Sequence, residues 1–216
     1  TVKDAEGNPT YENDKLPALT ALGESGAYIS GPFTKCVALN KIVIPDEVTK
    51  IGKSAFEGCT KLTSVTLPKN LTLIRESAFM GCTLLASVKF SDETPDASVT
   101  LEESAFKSCK ALTSFDFTKV GAFAGDEIFR SCVKLTSVNI HEGIAAGESN
   151  YLFDGCTKLK TVEFNPASGS VGDYAFQKCS ALTSVTIGEN VSAIGSDAFK
   201  GLALLTTVDM RSNVLT

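Results

Sequence analysis

Eight segments of the chain share one pattern of apolar and polar positions, in which a leucine is followed by two alternating apolar residues. They read Leu-x-x-apolar-x-apolar and begin at Leu39, Leu62, Leu85, Leu112, Leu135, Leu159, Leu182 and Leu205. Period-two alternation with β-branched and aromatic residues predicts a short strand with one buried face. Stacked in register, one such strand per coil would form a parallel sheet with strands about 4.8 Å apart.

A second motif, Phe-x-x-Cys-x-x-Leu, occurs seven times just before these strands, and an eighth copy has Leu202 in place of cysteine. The motif phenylalanines are Phe33, Phe56, Phe79, Phe106, Phe129, Phe153, Phe176 and Phe199. A fixed period in this range predicts a solenoid, in which each coil packs mainly on its neighbours. The motif also uses every cysteine of the chain.

The remainder of each coil carries a second apolar pair, such as Val48 and Ile51, and then a small-residue segment that leads into the phenylalanine. Ser or Asp just before the apolar anchor predicts the N-cap of a short helical turn. Glycine lies between phenylalanine and cysteine in half of the coils, where it suits a left-handed residue. Since the other coils have no glycine there, we expect that a positive φ is not demanded.

The periodicity divides the chain into three parts. Residues 16–210 are predicted to form the solenoid, with a degenerate first coil from Leu16 to Ala21. Residues 1–15 are polar and are expected to form a lead-in or cap, and residues 211–216 are expected to be a truncated C-terminal end. Because a solenoid end needs a polar cap, further sequence is expected beyond Thr216. A four-residue insertion within 91–98 is read as a tolerated surface loop, with a binding loop as the alternative.

The repeat seen whole from Ile51 to Pro68 resembles the BspA-like leucine-rich repeat family, and the resemblance extends over Leu16 to Met210. It implies an α/β-type repeat solenoid with a parallel β-sheet on one face and short helical turns with irregular segments on the other. It also implies a secreted or cell-surface protein that adheres to a host or matrix protein, a glycan or another cell surface. No catalytic residue and no cofactor belong to the motif.

Composition and charge exclude some other classes of function. The net charge is −5, with 20 basic and 25 acidic residues, which argues against nucleic acid as a partner. No apolar run approaches the ~18 residues of a membrane-spanning helix, so no membrane insertion is expected. The sequence begins at Thr1 rather than Met, which fits either a removed leader or a trimmed chain, and the extracellular location is therefore an expectation from the resemblance alone.

The regular spacing of the cysteines favours packing over chemistry. Each cysteine lies beside a phenylalanine and a leucine that we expect to be buried, and free cysteine packs as a small hydrophobe. The replacement by Leu202 favours this interpretation, since leucine can pack but cannot form a bridge or bind a metal. Disulfides between adjacent coils remain the alternative, because the Cα atoms could approach bonding distance.

The only histidine, His141, raises the possibility of a hydrolase with nearby serines and Asp116. A Ser-His-Asp site requires a geometry that repetition alone does not supply, and serines line this face through repetition. A solvent-exposed histidine is the favoured interpretation.

The outward strand positions form two columns. The first is almost uniformly Ser or Thr and is interpreted as structural, whereas the second varies at one structural position, as a binding face would. The candidate ligand-binding residues are Lys89, Asp116, Asn139, His141, Glu163 and Thr186. Neutral drift and a purely structural spacer are the alternatives. Asp116 and Glu163 would lie about 9.6 Å apart on alternate strands, too far to chelate a metal by themselves.

Overall fold

The computed structural model describes residues 31–211 and, before them, the backbone of three short strands. One 3-10 turn, η1, covers Phe117–Lys119. The strands are β1 Val2–Lys3, β2 Pro9–Thr10, β3 Ala21–Leu22, β4 Lys41–Val43, β5 Lys50–Ile51, β6 Ser64–Leu67, β7 Leu73–Ile74, β8 Ser87–Phe90, β9 Val99–Glu102, β10 Val120–Ala124, β11 Ser137–Ile140, β12 Ala145–Gly147, β13 Thr161–Phe164, β14 Ser168–Val171, β15 Ser184–Ile187, β16 Val191–Ile194 and β17 Thr207–Met210.

The strands that follow the Leu-x-x-apolar-x-apolar pattern form the front of a parallel solenoid. They are β4, β6 and β8 in one sheet and β11, β13, β15 and β17 in another. In β6, β11 and β13 every second side chain is exposed and every other one is buried. The predicted front strands are therefore confirmed in seven coils.

The segment that carries the second apolar pair of each coil also contains a short strand, which the sequence pattern did not predict. These strands build one back sheet of eight, in the order β16-β14-β12-β10-β9-β7-β5-β3, all paired in parallel. Ala21 and Leu22 join it beside Lys50 and Ile51, while Leu16 to Thr20 lie outside the described residues. Upstream of it, β1 and β2 pair antiparallel. Most of 1–15 and of 211–216 also lies outside the described residues.

The front strand predicted after Leu112 does not form. Phe115 occupies the position that is Val or Ile in the other coils, and its ring packs against those of Phe90, Phe106 and Phe129 at 4.9–5.6 Å. Asp116 then caps η1, because its side chain accepts the Thr118 N–H at 3.0 Å. A bulky ring and a local cap thus replace strand pairing, and the front is divided into sheets of three and four strands.

The predicted helical turns are also wrong, because the segment around each motif phenylalanine is a non-helical corner. Among residues 31–211, η1 is the single helical element, and no helix in that range is long and apolar enough to cross a membrane. The residue two before the phenylalanine, expected as an N-cap, has φ between 52° and 60° in seven coils. These residues are Ser54, Ser77, Ser104, Glu127, Tyr151, Tyr174 and Asp197.

The residue two after the phenylalanine has a positive φ in all eight coils, so the expectation that a positive φ is not demanded there is wrong. Four are glycines with φ of 70–78°, and Lys35, Ser108, Ser131 and Lys178 take φ of 58–62°. A non-glycine residue in this region is strained, and the strain persists only where the surroundings determine the conformation.

Hydrogen bonds between coils are what determine the corner conformation. The N–H groups of Ser54, Phe56 and Gly58 donate to carbonyl oxygens of the next coil at 2.8–2.9 Å. The same three donors recur in the following coils, so each corner gives N–H groups forward and carbonyl groups backward. These satisfied backbone groups offset the cost of the left-handed residues.

The core lies behind the corners. The eight motif phenylalanines stack in one column, with ring centroids 5.2–5.5 Å apart and planes within 12° of parallel. Beside them, six cysteine thiols each donate to the phenylalanine carbonyl of the preceding coil at 3.1–3.3 Å. All seven cysteines are free, and Cys36 is exposed while the other six are buried.

The thiol contact explains why cysteine rather than alanine occupies this position, since the S–H group is a small donor for an otherwise half-satisfied carbonyl. Burial, reinforced by the neighbouring thiol, raises the pKa of Cys59 to about 11 and that of Cys82 to about 12. Burial likewise raises the pKa values of Cys109, Cys132 and Cys156 well above the ordinary value. These thiols therefore stay protonated and unreactive in the folded chain.

Candidate binding face

Three of the predicted ligand-binding residues lie in one row across the four-stranded front sheet. Asn139 on β11 is in register with Glu163 on β13, Thr186 on β15 and Asp209 on β17. Asn139, Glu163 and Asp209 are exposed and Thr186 is half-buried. With strands about 4.8 Å apart, the row forms a continuous line of polar side chains across the face of the sheet.

Lys89 belongs to a different row. It lies on β8 in register with Thr66 on β6 and, through it, Val43 on β4. The strandless coil between β8 and β11 separates this row from Asn139 and Glu163. The predicted column is therefore two short rows, one apolar and basic and the other polar and acidic.

Asp116 lies in the break between the two rows. Its carboxylate accepts hydrogen bonds from the N–H and the hydroxyl of Thr118 at 3.0 and 2.6 Å. Because Asp116 is not on a strand, the spacing predicted between it and Glu163 does not apply. Its carboxylate maintains η1 at the break.

His141 also has a structural contact at the break. Gly143 N–H donates to Nδ1 at 3.0 Å, so the ring proton is on Nε2, which donates to the Phe117 carbonyl at 3.0 Å. A Cβ at Gly143 would lie 2.7 Å from the imidazole, which explains the glycine there. With both ring nitrogens bonded to backbone, the half-buried imidazole does not have the arrangement that a Ser-His-Asp hydrolase needs.

The three-stranded sheet carries a cleft that the sequence did not reveal. Its volume is about 720 Å³, and its lining includes Val43, Pro45, Thr66, Lys89 and Asp92. Val43 is 79% exposed, the largest exposure of the large apolar side chains in the described part of the chain. Its lining mixes apolar residues such as Val43 and Pro45 with charged residues such as Lys89 and Asp92.

The four-residue insertion forms an ordered wall beside this cleft. Lys119 Nζ bonds the Thr94 carbonyl at 2.9 Å and the Asp96 carboxylate at 2.7 Å, and Ser98 Oγ bonds the Pro95 carbonyl at 2.7 Å. Ser91 and Asp92, at its start, line the cleft. The insertion is thus tied to the strandless coil, a long-range contact that its acidic sequence did not indicate.

Threonines just before the front strands form a ladder of hydroxyl hydrogen bonds between coils, which the sequence analysis did not predict. The hydroxyls of Thr63, Thr136, Thr183 and Thr206 donate to carbonyls one coil earlier at 3.2–3.4 Å. These residues precede the column by one position. The hydroxyls that bond between coils are therefore not those of the outward serines.

A charged network links the corners of four coils away from the front face. Arg130 bonds the buried carboxylate of Asp154 at 2.9 Å, pairs with Glu127 and stacks over the Tyr151 ring at 4.9 Å. Burial opposes ionisation of Glu127, but hydrogen bonds from Lys107 and Arg130 outweigh it and lower the Glu127 pKa. Among residues 31–211, no three His, Cys, Asp or Glu side chains are grouped as metal ligands.

Comparisons with known proteins identify the repeat. The model of the BspA type leucine rich repeat region matches residues 30–149 and 125–216, with six copies. A leucine-rich repeat protein of T. pallidum is similar in structure, with a TM-score of 0.64 and 23% identity over 76% of this chain and 77% of that one. A leucine-rich repeat protein from Bacteroides ovatus has a TM-score of 0.53 and 20% identity over 89% of this chain and 66% of that one.

At these identities the two structures show a shared fold alone. No curated protein matches the chain. The family model, in contrast, covers nearly all of the described solenoid. The chain belongs to the BspA type leucine-rich repeat family.

Proposed function

We propose that the chain is a non-enzymatic, extracellular binding module that recognises a protein or glycan through its front face. The main support for this proposal is the in-register row of Asn139, Glu163, Thr186 and Asp209. Side chains differ along this row, whereas the surrounding coil is repeated. Leucine-rich repeat architecture supports a binding or structural role because stacked coils create an extended surface.

The cleft on the three-stranded sheet supplies a second part of this face. An apolar ligand group would cover Val43, which is otherwise exposed, while Lys89 would contact an acidic or hydroxyl group at the margin. A partner that spans the break at Asp116 would contact both rows.

A structural spacer is the competing function, and the continuous back sheet supports it because eight paired strands make a stiff rod. A spacer predicts no ligand for the front face. Substitutions at Asn139 and Glu163 would then change nothing except surface charge.

A binding screen of the purified chain against matrix proteins and glycans tests the proposal. Once a ligand is found, Glu163→Lys with Asn139→Lys should weaken its binding about thirtyfold or more, the range of a hot-spot loss. The control is Glu148→Lys with Glu189→Lys, at exposed positions outside the row. Equal affinities for both variants would move the site elsewhere, and the absence of any ligand would favour the spacer.

The proposed extracellular location is tested by a separate measurement. Protease treatment of intact source cells should digest the chain before a cytoplasmic marker if it is displayed outside. Protection until lysis would refute the extracellular part of the proposal.

A further inference from the structure

One strip of the surface contains positive charge alone. We define the lysine strip as the five residues after each motif cysteine or Leu202, which connect the corner to the front strand. Across all eight coils it holds six of the 20 basic residues and none of the 25 acidic residues. The six are Lys41, Lys61, Lys110, Lys134, Lys158 and Lys160.

These lysines are exposed and unneutralised. All six are exposed, and within residues 31–211 none of their ammonium groups lies in an ion pair. Elsewhere, six lysines each have a carboxylate within 4 Å: Lys53, Lys69, Lys107, Lys119, Lys178 and Lys200. The strip therefore retains a positive potential on a chain of net charge −5.

The strip is densest on three consecutive coils. Lys134 and Lys158 each lie three residues before the register partners Ser137 and Thr161, so they occupy equivalent positions on adjacent coils. Neighbouring coils are about 4.8 Å apart, and Lys110 lies on the coil before them. Lys160 adds a fourth charge. Lys134 and Lys158 are thus aligned along the solenoid axis, and Lys110 lies one position earlier in its own coil.

We propose that the lysine strip binds a linear acidic polysaccharide along the solenoid axis. Carboxylate or sulfate groups repeated along one chain would neutralise successive lysines, and released counterions would drive the association. This site lies outside the row of Asn139 and Glu163. It therefore does not depend on the front-face proposal.

A duplex nucleic acid is the disfavoured polyanion because the strip is narrow. Glu163 lies two residues beyond the end of the strip on its coil, and Asp116 lies two residues beyond the end of the strip on the irregular coil. A duplex lying over the strip would bring phosphates near these carboxylates within about one Debye length, ~8 Å, where repulsion is poorly screened. A single polysaccharide strand can follow the lysines without covering the acidic face.

The test measures binding of the full chain to heparin, a sulfated probe, and hyaluronan, a carboxylated one, with neutral dextran and duplex DNA as comparators. At about 50 mM salt, at least one acidic polysaccharide should bind, and affinity should fall steeply with salt. Lys110→Gln with Lys134→Gln and Lys158→Gln should weaken binding. The same variant should reduce the magnitude of the negative slope of log K against log salt by about 2–3, taking the value for nucleic acids of about 0.7–0.9 per lost contact.

The matched control is Lys53→Gln with Lys69→Gln and Lys200→Gln, which removes the same charge from paired lysines and should leave the slope unchanged. Replacing the three strip lysines by arginine should retain binding, which separates charge from folding. Which probe binds tells sulfate from carboxylate recognition. Failure of both probes, equal binding of dextran, tighter binding of DNA, or an unchanged slope in the strip variant would overturn the proposal.

Discussion

The corners and the front strands of the same coils respond differently to changes in sequence. Every corner keeps one backbone shape, although the left-handed position after phenylalanine is filled by Gly, Ser or Lys. The front strand, in contrast, is lost where Phe115 replaces a smaller residue. Three kinds of contact determine the corner: hydrogen bonds between coils, stacked rings and thiol contacts. Pairing of the front strand, in contrast, depends on whether one side chain, at the position of Phe115, can be packed there.

Alkaline pH should act on the corners first and produce the largest effect. Below a pH of about 8.5 the thiols are protonated in both the folded and the unfolded chain, so thiol ionisation does not contribute to the free energy of unfolding. As pH rises toward folded pKa values of about 11 and 12 for Cys59 and Cys82, the unfolded chain loses protons that the folded chain keeps. The free energy of unfolding should therefore fall, by up to about 1.4 kcal/mol per pH unit for each buried thiol.

Urea unfolding between pH 7.5 and 9.5, below the range in which lysines titrate, measures this slope. Cys132→Ala with Cys156→Ala should be less stable at neutral pH but should lose less stability on going to pH 9.5. An equal loss in wild type and variant would mean that the thiols are not the cause.

Phe106→Ala should be the most damaging single substitution at a corner. The ring stacks on Phe79 and Phe129 and meets Phe115 edge-on, so the cavity cannot easily close. We expect a loss of about 3–5 kcal/mol in chemical unfolding. Leu204→Ala, at a side chain that is 56% exposed, is the control and should cost far less. Similar losses would contradict the packing column.

Gly81→Ala isolates the backbone part of the comparison. Gly81 has φ of +73°, and an added Cβ would meet nothing closer than 3.8 Å, so the expected cost of about 1–2 kcal/mol is strain alone. Ser131→Gly, at φ of 62°, is the reverse experiment and should stabilise by up to about 1 kcal/mol. Thermal unfolding of both variants checks the signs, and no change in either would mean that the corner bears no strain.

Asp116→Ala should have the smallest effect and should act at the strandless coil. Loss of the cap on η1 should cost about 1 kcal/mol, whereas Asn139→Ala on the regular sheet should change stability little. Hydrogen exchange of the Thr118 amide reports on the cap directly. Unchanged protection in Asp116→Ala would show that Phe115 alone maintains the irregular conformation.

The repeat made much of the fold predictable. Apolar alternation identified seven front strands, and the period of the cysteines identified the stacked core. The back strands were not predicted because they are short and hold too few apolar residues to show a period, one in Lys50–Ile51 and two in Leu73–Ile74. The corner conformation was not predicted because a Ser before an apolar anchor is typical of a helix N-cap. The sequence does not show that carbonyl groups of the next coil accept hydrogen bonds from the backbone N–H groups of the corner.

The site was predictable only where the strand register held. Asn139, Glu163 and Thr186 follow from two-residue alternation, and the structure aligns them. Asp116 and His141 were misplaced because their contacts, to Thr118 and to the Phe117 carbonyl, exist only after the strand has failed. The cleft and the ordered insertion depend on long-range contacts that the local pattern does not contain.

The corner hydrogen bonds give the solenoid a direction, since N–H groups face the next coil and carbonyl groups face the previous one. A coil can therefore be duplicated, deleted or exchanged for another while donors still meet acceptors, but a coil turned over would place donor against donor. Gene duplication in this architecture preserves the interface by default. An engineer could lengthen the front face by whole coils without redesigning the interface between them.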